Sequence, residues 1–125
     1  MADTSLREPA YLVLTALAGE PRHGYAVIEE VLRLSDGEVK LHTGSLYAVL
    51  DRLRTAGLID VEREEVVQSR LRRYYKLTGA GAERLAAESA RLRRRADAAA
   101  VALRNLNTAR LNTARLNTAH GGGIA

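Results

Sequence analysis

The chain has 125 residues, 46% of them hydrophobic and 27% charged, which suits one ordinary domain plus an extra helix or tail and argues against wholesale disorder. Phe, Trp and Cys are absent, so the core must be aliphatic, and disulfides, thiolate zinc sites and a Cys nucleophile are excluded. The net charge of +4 is uneven: residues 1–40 carry 4 basic and 7 acidic groups (net −3), residues 41–80 carry 7 and 5 (net +2), and residues 81–125 carry 8 and 3 (net +5).

No stretch approaches the ~20 apolar residues that span a bilayer. Ala16-Leu17-Ala18 superficially resembles a signal-cleavage site, but Asp3 and Glu8 outweigh Arg7 before it and the apolar run is short. A cytoplasmic location is therefore expected, with no membrane partner.

Leu6, Ala10, Val13, Leu14 and Leu17 share one face of a first helix, with Thr4 or Ser5 to cap it and Gly19-Glu20-Pro21 to end it. A second helix is expected over about 23–34, with Tyr25, Ile28, Val31 and Leu32 inward, broken by Ser35-Asp36-Gly37. The third begins near Thr43 or Gly44. Its inner residues are Leu46, Val49, Leu50 and Leu53, and Gly57 closes it. Alternation at Ile59 and Val61, and again from Leu71 to Leu77, predicts a hairpin. Its turn lies near Val66–Arg70 and is expected to exceed two residues, because Asn-Gly and Asp-Gly are missing.

Thr78 caps a long helix from about Ala80. Along it Ala82, Leu85, Ser89, Leu92, Ala96, Ala99, Leu103 and Leu106 recur in alternating steps of three and four, a heptad seam that asks for a partner helix. Self-association is the simplest source of one. Leu6, Leu85, Leu92, Ala96, Ala99 and Leu103 are the dimerisation candidates. From Leu106 a pentad, Leu-Asn-Thr-Ala plus Arg or His, occurs three times. Its leucines spiral, and Asn and Thr are weak helix formers, so the tail over 107–125 reads as frayed or disordered.

These elements define a mainly α fold with a small β-hairpin (α+β): a winged helix-turn-helix over 1–78, then a dimerisation helix over 79–106. The outer side of the third helix opens with His42, Thr43, Gly44 and Ser45, flanked by Tyr47 and Arg52. Small and hydroxylated residues let a recognition helix settle its N-terminus into the major groove. The hairpin adds Arg63, Arg70, Arg72 and Arg73, suited to phosphates or a minor groove. Tyr25 is expected either near the DNA backbone or in the space between the first two helices. His23, His42 and His120 are scattered and match no catalytic or metal motif. No enzyme, cofactor or metal is expected, although His23 or His42 near Glu29, Glu30 or Asp36 keeps a metal sensor in view. A winged-helix module that binds protein, or DNA without sequence preference, is the alternative reading.

Pro21-Arg22-His23-Gly24-Tyr25, Gly44-Ser45-Leu46-Tyr47, Asp51-Arg52-Leu53 with Gly57-Leu58-Ile59, and Arg73-Tyr74-Tyr75-Lys76-Leu77-Thr78 with Gly81 together resemble the PadR family of transcription regulators, in its smaller subgroup. The chain departs from the family in having His42-Thr43 where Ser-Pro is frequent, and in a wing without Gly or Pro. The resemblance implies a dimer built largely through the C-terminal helix. It also implies a roughly palindromic duplex operator, and usually repression relieved by a small effector. No aromatic follows Tyr75, so an effector site made by stacking aromatics at the dimer centre is not expected.

Overall fold

The computed structural model describes residues 6–124, with side chains through residue 117. Helix α1 (Glu8–Gly19) starts with Pro9 in its first turn, where a missing N–H costs nothing. Its N-cap is Arg7, which makes no side-chain capping bond; the expected caps Thr4 and Ser5 lie outside the described residues. A two-residue strand β1 (Arg22–His23) leads directly into α2 (Gly24–Leu34). Helix α3 spans Thr43–Thr55. Gly57, at φ +77°, closes it: Leu58 N–H donates to Leu53 C=O (2.9 Å) and Gly57 N–H to Arg54 C=O (2.9 Å). That is a Schellman closure, and it needs the left-handed conformation.

Strands β2 (Ile59–Val67) and β3 (Arg70–Leu77) form the hairpin, and β1 adds to the other side of β3, giving the antiparallel order β1-β3-β2. Val67 pairs with Arg70, so the turn is Gln68-Ser69 alone, at φ 52° and 64°. This corrects the longer loop expected from sequence. Ladder pairing forces a tight turn with two positive φ angles, and Gln and Ser adopt it without glycine. A second device lies within β2. Val61 pairs with Tyr75 and Arg63 with Tyr74, leaving Glu62 as a bulge. The bulge turns the outer half of β2 over, so that Arg63, Glu65 and Val67 share a face with Tyr74, Arg72 and Arg70.

Val13, Leu14 and Leu17 of α1, Val27 and Val31 of α2, and Leu46, Val49, Leu50 and Leu53 of α3 meet Ile59 and Tyr75 in the core. The inner residue of the first turn of α2 is thus Val27. Tyr25 is 68% exposed and does not fill the space between helices.

Helix α4 spans Gly79–Ile124. Thr78 caps it as expected, its Oγ1 accepting from Gly81 N–H at 3.0 Å. The helix continues through the pentads, where a frayed or disordered tail was expected. Each pentad supplies Leu and Ala with Arg or His, and no Gly or Pro interrupts the run before Gly121. Extending an existing helix costs far less than nucleating one. The chain forms two compact units, 1–88 and 89–125. In the first, Leu6 and Leu85 pack against the core, so these two dimerisation candidates are partly committed within the chain itself. In the second, Leu92, Ala96, Ala99 and Leu103 are exposed.

Candidate nucleic-acid interface

The N-cap of α3 is His42, with extended backbone and no side-chain capping bond. Thr43, Gly44 and Ser45 are exposed in the first turn, and so is Tyr47. Uncapped amides at a helix start carry partial positive charge and attract anions.

Beside this helix start lies an open cleft of about 670 Å³ between the beginning of α2, Tyr47 and the outer hairpin. Tyr25 and Tyr47 contribute to its lining from the helices, and Arg70, Arg72 and Arg73 from the wing. His23 also lines it, and no carboxylate does. Tyr47 is set by a close approach that was not anticipated from sequence. A Cβ on Gly24 would stand 3.1 Å from the Tyr47 hydroxyl and 3.3 Å from Leu46 Cδ2, so glycine lets α2 and α3 meet there. The Gly-Tyr pair at 24–25 was the available signal.

The wing arginines are not equivalent. Arg63 stacks 3.8 Å over the Tyr74 ring and pairs with Glu62 (2.7 Å) and Glu65 (2.9 Å). The Arg63 bond holds the Glu65 carboxyl below its ordinary value. Arg73 pairs with Glu64 at 3.0 Å. Arg70 and Arg72 have no ion pair among the described residues. Arg52 lies elsewhere, in a separate groove of about 620 Å³ lined also by Leu6, Ala10, Ser45, Ala48, Leu53 and Arg84.

His23 joins the cleft to the fold. Its Nδ1 accepts from Ala26 N–H at 3.3 Å, capping α2, and its ring meets Tyr74 edge-on at 5.3 Å. Burial, then the nearby Arg72 charge, lowers its pKa below 6.5, against weaker opposing effects of Glu29 and Glu65. An imidazole that resists protonation when folded contributes stability that is complete above pH 6.5 and is lost as pH falls through the lowered folded value. We therefore expect wild type to lose more thermal stability between pH 7.5 and 5.0 than His23→Asn, which keeps an uncharged cap. Equal losses in paired melting curves would exclude this linkage. Among the described residues no group of three or more His, Asp or Glu is placed to hold a metal, and no helix is long and apolar enough to cross a membrane.

Three helices, an antiparallel hairpin and an exposed third-helix start define a winged helix-turn-helix protein. Residues 13–87 match the model of the Transcriptional regulator PadR-like family, and the chain belongs to that family. Its members regulate transcription and are not enzymes. Among solved structures, a PadR-like transcription factor from Bacteroides fragilis is 29% identical, with 72% of this chain and 84% of that one covered and a TM-score of 0.62. A PadR family transcription regulator from Clostridium difficile is 22% identical, with 74% and 94% covered and a TM-score of 0.64. Bacillus subtilis PadR in complex with operator DNA shares the fold at 21% identity, 63% and 46% coverage and a TM-score of 0.56. A curated relative from Lysinibacillus sphaericus is 26% identical over 70 residues, and the match spans 64% of its length.

Proposed function

We propose that the protein is a cytoplasmic, site-specific duplex-DNA-binding repressor that works as a homodimer. The observation that carries this reading is the carboxylate-free cleft between Tyr25, Tyr47 and the unpaired wing residues Arg70 and Arg72, beside the open N-terminus of α3. In this reading Thr43, Gly44, Ser45 and Tyr47 approach base edges and flanking phosphates, and the wing holds the adjacent backbone. The solved complex of Bacillus subtilis PadR with operator DNA supports duplex DNA as the partner. The exposed residues Leu92, Ala96, Ala99 and Leu103 supply the dimer seam. Two recognition helices about one DNA turn apart then read the halves of a roughly palindromic operator. A small effector at the dimer interface changes their spacing and releases the DNA.

A salt-titrated gel shift on the protein's own promoter region, beside a shuffled duplex, tests this. Preference for the promoter supports it, and so does dimeric elution at micromolar concentration. Equal binding to both duplexes, or a monomer with full affinity, refutes it. The ion pairs rank the arginines. Arg72→Gln should weaken promoter binding about 10- to 100-fold, the usual worth of a charged hydrogen bond. Arg63→Gln, already satisfied by Glu62 and Glu65, should stay within about threefold. The reverse ranking would show that these ion pairs do not decide which wing arginine meets DNA.

A further inference from the structure

The second unit, 89–125, carries a charge pattern that the cleft does not use. Asp97 is its one acidic residue, and none follows. Arg93, Arg104, Arg110 and Arg115 are all exposed. The apolar seam stops at Leu106, because its next steps of four and three fall on Arg110 and Thr113. Beyond that point the pentad leucines Leu106, Leu111 and Leu116, all exposed, advance about 140° each, so they build no apolar face. A helix lying in a membrane interface needs such a face, and a coiled coil needs a seam.

The arginines have an order that the leucines lack. Arg93, Arg104 and Arg115 are spaced eleven residues apart. Eleven residues turn a helix about 20° past three full turns, so the three guanidinium groups leave one side of it, about 16 Å apart. The stripe is about 33 Å long, close to the ~34 Å of one DNA turn. It lies about a third of a turn from the Leu92–Leu106 seam, so pairing along that seam leaves it open. Each pentad adds an Asn and a Thr, which bond phosphate oxygens without regard to sequence.

We propose that this helix is a second duplex-DNA contact. It grips the phosphate backbone without reading sequence, through Arg93, Arg104 and Arg115. The inference rests on the DNA-binding reading above and deepens it: the winged helix selects the site, and the arginine helix supplies affinity common to all duplexes.

The test uses the full-length chain carrying Arg93→Gln, Arg104→Gln and Arg115→Gln together, changes that keep good helix formers and should leave the circular dichroism spectrum unchanged. Binding is titrated with salt on the promoter and the shuffled duplex. Each lost phosphate contact removes about 0.9 from the slope of log affinity against log salt. The expected result is a slope shallower by about 2–3 per chain on both duplexes, with their affinity ratio unchanged. An unchanged slope with promoter preference intact overturns the second contact and leaves the site-specific reading standing. A wild type that binds both duplexes equally, with the slope lost in the triple variant, does the opposite. A collapsed ratio overturns sequence-independent grip. Lost retention on phosphatidylglycerol vesicles with duplex binding unchanged also overturns the proposal, in favour of a membrane surface.

Discussion

Gly81→Ala is expected to be the most damaging single-methyl change in the winged-helix unit. A Cβ at this buried position would stand 2.0 Å from Leu58 C=O and 2.8 Å from Leu77 Cδ1. The carbonyl is not free to swing aside, because it accepts from Thr78 N–H at 3.1 Å. Thr78 is held in turn: its Oγ1 donates to Gly57 C=O at 2.7 Å and accepts from Gly81 N–H at 3.0 Å. The start of α4 and the α3–β2 junction are therefore clamped together, and the methyl group must open the clamp. Overpacking of this kind costs about 3 kcal/mol at the top of its usual range, which lowers Tm by about 12–24 °C in a domain of this size. Gly79→Ala is the control. Nothing lies within 4 Å of its Cβ, and replacing a helical glycine gains about 0.5–1 kcal/mol. Thermal melts that put Gly81→Ala level with wild type would disprove the close approach.

The core of this fold was legible where periodicity and burial coincide. Leu46, Val49, Leu50 and Leu53 recur at helical spacing, and all four are buried in α3. In α2 the same reasoning put Tyr25 inside, whereas Val27 takes that place and Tyr25 faces the cleft. A tyrosine serves either role, so its spacing alone did not decide. Strand β1 escaped notice because two residues contain no alternation to see. The Gln68-Ser69 turn and the Glu62 bulge escaped for a related reason. Ladder pairing sets both, and no local residue type announces them.

The candidate site divides in the same way. The small opening of α3 was readable as composition. Which wing arginines stay available was not, because that depends on register. Arg73 stands opposite Glu64, and Arg63 is displaced by the bulge into reach of Glu65 and the Tyr74 ring. A one-residue slip would redistribute these pairs and leave a different set of charges facing the cleft.

Gly44→Glu should separate folding from DNA binding, because the two effects have opposite signs. Gly44 is exposed in the first turn of α3, with nothing within 4 Å of its Cβ, so a larger residue fits. Removing a helical glycine gains about 0.5–1 kcal/mol. A carboxylate at the positive end of the helix adds about 0.3–1 kcal/mol. The variant should melt at or above the wild-type temperature. On DNA the same carboxylate stands where phosphates and base edges approach, and it occupies the amides that would bind them. Like charges forced together across an interface cost several kcal/mol, so promoter affinity should fall at least about 100-fold. Gly44→Gln has nearly the same bulk without the charge and isolates the steric part. It should lose less affinity than Gly44→Glu, and the difference should shrink as salt is raised. If Gly44→Glu binds the promoter as wild type does while showing the raised Tm, the start of α3 does not meet DNA, and the cleft arginines act on a partner reached from the wing side alone.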